Sequence, residues 1–179
     1  IGLDFIICDH HEVSEDAVLP PAAALINPFQ AGCEYPDNNL AGVGVAFKLA
    51  HAVLREYGLE REIPPLLKIA ALGTVADVVN LTGENRAIVA LGLQDLRRTD
   101  NWGLKALMEV ADCNSDMTSY DIGFRIGPRI NAAGRIDVGT HVVELLEADD
   151  FAKARGLAGL LDSRNRERQK LQREVTESA

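Results

Sequence analysis

The chain opens with a nearly continuous apolar run, Ile1 to Cys8, which ends abruptly at the triplet Asp9-His10-His11. Short apolar runs without alternation are typical of strands in parallel sheets, which are buried on both faces. Helical patterns dominate the rest of the chain, so the sequence predicts an α/β fold with a parallel sheet flanked by helices. In open parallel sheets, ligands bind where strands end, and the triplet stands at such an end.

The triplet has side chains that bind metals. Imidazole suits Mn, Fe or Zn, and carboxylate suits Mg or Mn. A solvated polar turn after a strand explains the three residues equally well when they are taken alone. The triplet is therefore a candidate metal site that needs further ligands from elsewhere in the chain.

The remaining elements are predicted from the periodicity of apolar residues and from the Gly and Pro residues that interrupt it. A second short strand is expected at residues 22–26, and a loop at residues 27–39. From Gly42, apolar residues recur at helical spacing as far as Tyr57. Further helices are predicted at residues 66–79, 84–98, 104–111, 140–147 and from 149 to the C-terminus.

Asp77 is the second candidate ligand. It follows Leu66 to Ala76, a segment with a single charge, so the sequence predicts a buried carboxylate. Such a group needs a partner, and a metal, an N-cap or an arginine would serve. Gly73 weakens the predicted helix, which suggests close packing or a break near Asp77.

The segment Gly127 to Arg135 is the third unusual stretch. Its glycines and Pro128 predict a tight loop, and Arg129 and Arg135 lie within it. Arginine suits phosphate because its planar fork donates two hydrogen bonds at once. A surface loop with solvated arginines is the alternative interpretation.

Composition, charge and cysteine content limit the class of protein and the cellular compartment to which the chain can belong. Hydrophobic residues make up 47% of the 179, and no run reaches the roughly 18 apolar residues of a membrane span. Three scattered cysteines exclude a zinc ribbon and fit a reducing cytoplasm. The net charge of −9 argues against nucleic acid, but basic residues cluster locally between Arg164 and Arg173. The first residue is Ile1 and not Met, and Ile1 to Cys8 is typical of a strand rather than of a signal peptide, so we expect a piece of a larger protein.

Together these segments resemble the DHH phosphoesterase superfamily, and within it the RecJ exonucleases. The triplet Asp9-His10-His11 corresponds to the motif that names the superfamily. The further matches, in family order, are Leu40 to Leu49, Ala71 to Val79, Glu84-Asn85-Arg86, Phe124 to Arg135, and Leu161-Asp162 with Asn165 to Gln169. Asn80 departs from a frequent proline.

The resemblance implies a Mn2+- or Mg2+-dependent phosphodiesterase that degrades single-stranded DNA from the 5′ end in the cytoplasm, alongside replication or repair proteins. It implies that His10 and Asp77 are metal ligands, that Asp9 lies in or beside the metal shell, and that His11 faces the scissile phosphate. It also implies DNA phosphate contacts from a further set of residues, Arg129, Asn131 and Arg135.

By the same resemblance, residues 1–148 are the C-terminal portion of a DHH domain. Residues 149–179 then begin a long helix toward a second domain. Further carboxylates precede the triplet in that family, and a Gly-Gly-His motif belongs to the second domain. Two metal ions need several carboxylates, and His10 and Asp77, even with Asp9, are too few, so we expect a partial site that is inactive in isolation. We also expect the isolated chain to be prone to self-association. The alternatives are a phosphodiesterase for oligoribonucleotides or cyclic dinucleotides, and a non-catalytic DNA-binding scaffold.

Overall fold

The computed structural model describes residues 2–14, 16, 18–133 and 139–178. Its elements confirm an α/β fold in which helices predominate. In chain order they are β1 (Ile6–Cys8), β2 (Ala24–Ile26), α1 (Gly42–Glu56), a 3-10 turn (Glu60–Glu62), α2 (Pro64–Ala76), α3 (Gly83–Leu96), α4 (Trp102–Val110), α5 (Ser119–Asp121), a π-helix (Ile122–Ile126), α6 (Gly127–Ala133), α7 (Gly139–Leu146) and α8 (Phe151–Glu177).

The two strands form a parallel pair, with Ile6 opposite Ala24 and Cys8 opposite Ile26. The ladder continues one step further, because Asp9 N donates to Ile26 O at 3.0 Å. The first strand is shorter than the apolar run predicted, since β2 is itself only three residues long. Within the described residues no other strand is present to bury it, and 58% of Ile6 is exposed.

Residues Ile1–Gly92 form one compact unit. Helices α1 and α2 pack against each other closely, because a Cβ at Gly73 would lie 2.7 Å from Val43 Cγ1. Gly73 therefore serves close packing, one of the two roles expected for it. The core of this unit also receives the last residue of each strand; its members are Leu40, Val45, Ala70, Ala71 and Ile88, with Cys8 and Ile26 packed against them.

Residues Leu93–Ala179 form the second unit. Helix α8 begins at its N-cap Asp150, whose side chain accepts a hydrogen bond from Lys153 N at 2.8 Å. Its buried face packs on α4, α6 and α7. Fully buried residues of this unit include Leu104, Leu107, Ile126, Leu145 and Leu161. The domain boundary expected at residue 148 stays a prediction.

The tight loop predicted at residues 127–135 is wrong for residues 127–133, which form helix α6. Pro128 occupies the first turn of α6, where the missing N–H would have no intrahelical partner in an isolated helix. Helix α6 follows directly on α5 and the π-helix, so Arg129 and Asn131 lie on a helix. Arg135 lies outside the described residues.

In the part of the chain that the structure describes, every helix is too short or too polar to cross a membrane.

Candidate metal centre

Asp9 organises the triplet at the end of β1. Its Oδ1 accepts hydrogen bonds from His10 N at 2.8 Å and from His11 N at 3.3 Å. The same oxygen lies 2.7 Å from His11 Nδ1. The His11 ring and the two backbone donors together hold the pKa of Asp9 below its usual value. The Asp9 carboxylate in turn raises the pKa of His11.

His10 and Asp77 converge, as the sequence predicted. His10 Nε2 lies 3.5 Å from Asp77 Oδ2, although one residue follows β1 and the other follows α2. The His10 side chain is 22% exposed and the Asp77 side chain 40% exposed. The prediction that Asp77 is buried is therefore wrong. The apolar helix before Asp77 is buried, but the helix ends at Ala76 and leaves the carboxylate in the open.

The end of α2 is sharp because the chain reverses at Val78. Asp77 is the C-cap, and Val78 follows with a φ of 60°. Left-handed φ is costly for a β-branched residue and is found mainly where surrounding structure enforces it, often at functional sites. The 87% exposure of Val78 means that core packing does not offset the cost of this conformation. The turn fixes where the Asp77 carboxylate points.

The His10 ring packs against Gly42, the first residue of α1, and we call this contact position the seat of the His10 ring. A Cβ at this position would lie 3.1 Å from His10 Cδ2, tighter than most contacts of a real Cβ. The His10 ring is therefore packed against the start of α1 on one side. Its Nε2 faces Asp77.

Sequence reasoning missed Asn27, which secures the triplet from the β2 side. Asn27 is only 2% exposed, and its Nδ2 donates to His11 O at 3.0 Å. Its Oδ1 accepts from Phe29 N at 2.9 Å, so the same side chain shapes the turn after β2. Its position next to Pro28 at a strand end signals a turn, but nothing local in the sequence indicates a bond to His11.

The donor geometry fits one divalent ion. Two ligands, each about 2.1 Å from the same ion, are separated by roughly 3.0–3.4 Å, close to the observed His10–Asp77 distance. A nitrogen and a carboxylate oxygen are suitable donors for Mn2+. Among the described residues, however, no group of three or more His, Cys, Asp or Glu side chains is arranged to hold a metal. These residues can therefore supply part of a metal shell.

An open cleft of about 360 Å³ lies beside the two histidines. Its walls are formed by the two histidines with Glu12, by the turn after β2, by the loop before α1 and by the loop after α2. The lining residues are His10, His11, Glu12, Phe29, Asn38, Asn39, Leu40, Val78, Val79 and Asn80. A substrate group entering this cleft would meet His11, whose side chain is 79% exposed.

The residues expected to hold phosphate belong to the second unit. Arg129 is mostly buried, and all three of its guanidinium nitrogens donate to protein oxygens. Nε and Nη2 lie 2.9 and 2.8 Å from Asp162 Oδ1, and Nη2 also donates to Val110 O. Asn131 is exposed. Arg129 thus ties α6 to α8, a contact that the sequence did not reveal.

The comparisons with known proteins identify the class of protein to which the chain is similar. The DHH family, N-terminal domain, matches residues 1–74, which include the triplet and end just before Asp77. Single-stranded-DNA-specific exonuclease RecJ of Bacillus subtilis is 46% identical over the whole chain, which spans 22% of that protein. The Haemophilus influenzae protein of the same name is 45% identical, and 96% of this chain spans 31% of it.

Two crystal structures agree with these relatives. RecJ in complex with Mn2+ from Thermus thermophilus is 33% identical with a TM-score of 0.85, and the match covers 99% of this chain and 26% of that one. Exonuclease RecJ bound to manganese gives a TM-score of 0.87 at 33% identity, covering 99% of this chain and 44% of that one. The chain belongs to the RecJ proteins of the DHH family. It spans about a quarter of the length of the curated relatives it matches.

Proposed function

We propose that the chain is a segment of a metal-dependent, single-strand-specific 5′–3′ DNA exonuclease. The observation that carries this proposal is the 3.5 Å approach of His10 Nε2 to Asp77 Oδ2 beside an open cleft. RecJ relatives that match the whole chain, and RecJ structures solved with manganese, support it. The cleft, the triplet and the family all favour phosphodiester hydrolysis over a scaffold role.

His10 and Asp77 would hold a Mn2+ or Mg2+ ion, with Asp9 in or next to its shell. Such an ion supplies charge for the attacking and leaving oxygens of a phosphodiester. Asp9 keeps the triplet backbone and the His11 ring in place through its three hydrogen bonds. His11, exposed at the cleft, would donate a proton or a hydrogen bond to the phosphate or the leaving group.

Of the three residues that the resemblance assigns to DNA phosphate, Asn131 and Arg135 would contact the phosphates of single-stranded DNA and Arg129 would act on them indirectly. The internal partners of Arg129 support an indirect part for this residue, in which it fixes α6 so that Asn131 stays exposed. The exposed basic residues of α8 would add a diffuse electrostatic contribution. The enzyme would work in the cytoplasm together with replication or repair proteins.

The first test is Asp77→Ala in the full-length enzyme. We expect hydrolysis of 5′-labelled single-stranded DNA to fall at least about 100-fold at saturating Mn2+, because a metal ligand is lost. DNA binding should change by less than about threefold, since phosphate contacts away from the metal carry most of the affinity. Turnover and binding are measured on the same preparation.

Asp112→Ala is the matched control, because Asp112 is another exposed carboxylate that closely follows the end of a helix, here α4. It should retain wild-type turnover. Near-normal hydrolysis by the Asp77→Ala enzyme would contradict the assignment of Asp77 as a ligand.

A further inference from the structure

Asn85 connects two loops that are distant in sequence. It lies at the start of α3, and none of its surface is exposed. Its Nδ2 donates to Asn39 O at 2.7 Å and to Asn80 O at 3.0 Å. Backbone carbonyls only accept hydrogen bonds, so the amide must turn its NH2 toward both of them. One nitrogen thus holds two separate segments.

One of these segments leads to the residue that packs against His10, and the other follows Asp77. Asn39 stands three residues before Gly42, which forms the seat of the His10 ring. Asn80 stands three residues after Asp77, beyond the strained turn at Val78. Asn85 therefore links the segment that leads to the His10 contact with the segment that follows Asp77.

The helix end that carries Asn85 is itself firmly anchored. Asp37 Oδ2 accepts a hydrogen bond from Glu84 N at 3.1 Å and so caps α3. The Glu84 carboxylate accepts hydrogen bonds from Tyr35 and from Lys48, which lies on α1. These contacts fix the start of α3 to the loop before α1 and to α1 itself, so Asn85 donates from a rigid support.

We propose that Asn85 is a positioning residue that sets the separation of His10 and Asp77 by tying the two loops together. The proposal rests on the proposed function of this site, but it concerns the residues of the chain before any metal binds. Sequence position gives no hint of it, because Asn39 and Asn85 are 46 residues apart. The side chain acts through backbone carbonyls and touches neither ligand directly.

The test compares full-length enzyme with Asn85→Ala, which removes both donors, and Asn85→Asp, which keeps the size but replaces the NH2 by an acceptor. Without metal, hydrogen exchange of amides in residues 38–42 and 78–82 should quicken at least about tenfold in both variants, because each loop loses a hydrogen bond that holds it closed. Exchange in α8 should stay unchanged.

The Kd for Mn2+ should rise about 10–100-fold, as for other outer-shell contacts to metal sites. Excess Mn2+ should restore kcat, with the KM for DNA unchanged.

Val89→Ala is the control, because Val89 is buried on the same helix one turn further and has no polar side-chain atom. It lowers global stability but should leave loop exchange and Mn2+ affinity within about twofold of wild type. If Asn85→Ala does not fold, the loop exchange rates and the Mn2+ affinity of the Asn85→Asp protein test the proposal. Loops that exchange at the wild-type rate in a folded Asn85 variant, or an equal loss of Mn2+ affinity in Val89→Ala, would overturn the proposal. A wild-type enzyme without Mn2+-dependent hydrolysis would instead refute the proposed function and leave the exchange result intact.

Discussion

Neighbouring residues of the triplet have different tasks. Asp9 uses one carboxylate oxygen to hold two backbone amides and the His11 ring. His10 lies between Gly42 and Asp77, whereas His11 remains exposed at the cleft. Within three consecutive residues the arrangement thus has a carboxylate that holds the backbone, an imidazole that faces Asp77 and an imidazole that is exposed at the cleft.

The seat of His10 leads to a prediction at Gly42. Gly42→Ala should push the ring by a few tenths of an ångström, because the new Cβ would begin 3.1 Å from His10 Cδ2. We expect Mn2+ affinity, measured by isothermal titration, to fall severalfold while thermal stability stays equal or rises, since alanine favours helix.

Gly156→Ala is the control for the stability that alanine adds through its helix propensity, because Gly156 lies on α8 and a Cβ there would meet nothing within 4 Å. It should stabilise the protein by about 0.5–1 kcal/mol and leave Mn2+ affinity unchanged. Unchanged Mn2+ affinity in Gly42→Ala would show that the ring is free to relax and that the seat does not constrain it.

Single residues were predictable from the sequence only where their own chemistry signals a role. The chemistry of Asp9, His10 and Asp77, together with the family resemblance, identified them before the structure. Asn85 falls within the family match Glu84-Asn85-Arg86, but neither its role nor that of Asn27 was identifiable, since they donate to carbonyls 46 and 16 residues away in the chain. Amide donors to distant backbone leave no local pattern. The same holds for the Arg129–Asp162 contact.

At the scale of elements, the helical stretch from Ser119 to Ala133 shows how a local pattern misleads. Pro128 and Gly127 predict a loop, but proline is tolerated in a first turn and the preceding turns continue into α6. The π-helix at Ile122–Ile126 absorbs the irregularity between α5 and α6. The other helices were predictable from the periodicity of apolar residues, and their observed ends differ from the predicted ends by only a few residues.

The start of this stretch leads to a pH-dependent prediction. The Asp121 carboxylate accepts a hydrogen bond from Thr118 N at 2.8 Å, and this bond contributes most to a pKa below the ordinary 3.8. A lowered folded-state pKa means that the stabilisation is complete above the unfolded-state value and is lost as the pH falls through the folded value. Asp121→Ala should therefore cost about 1 kcal/mol at neutral pH and much less at about pH 2.

Urea unfolding at the two pH values measures this difference directly. Asp116→Ala, which removes another exposed carboxylate just before α5, should show a smaller cost at neutral pH. A cost for Asp121→Ala that does not change with pH would mean that packing, and not the charged cap, stabilises this helix start.

At the scale of the whole molecule, the α/β class was predictable and the division of the chain was not. The structure separates compact units at Gly92, within the sequence of helix α3, so no loop or break in periodicity marks the position. The chain also spans only about a quarter of its relatives, and no group of three metal-binding side chains forms among its described residues.

The exposed edge of the sheet gives a prediction about association. Phe5, just before β1, and Ile6, the first residue of β1, are 59% and 58% exposed. Among the described strands β1 pairs only with β2, and such an exposed edge favours pairing with another copy. The isolated 179-residue chain should form concentration-dependent dimers or larger species by light scattering. Ile6→Lys should restore the monomer, whereas Val53→Lys on the exposed face of α1 should not. A monomer at all concentrations would contradict this prediction.

The proposed metal centre requires that His10 and Asp77 bind the same ion. An anomalous difference map from crystals of the full-length enzyme grown with Mn2+ locates the ion without reference to activity. We expect a peak about 2.0–2.3 Å from both His10 Nε2 and an Asp77 carboxylate oxygen. Mn2+ peaks elsewhere, with none bonded to either residue, would contradict the central claim.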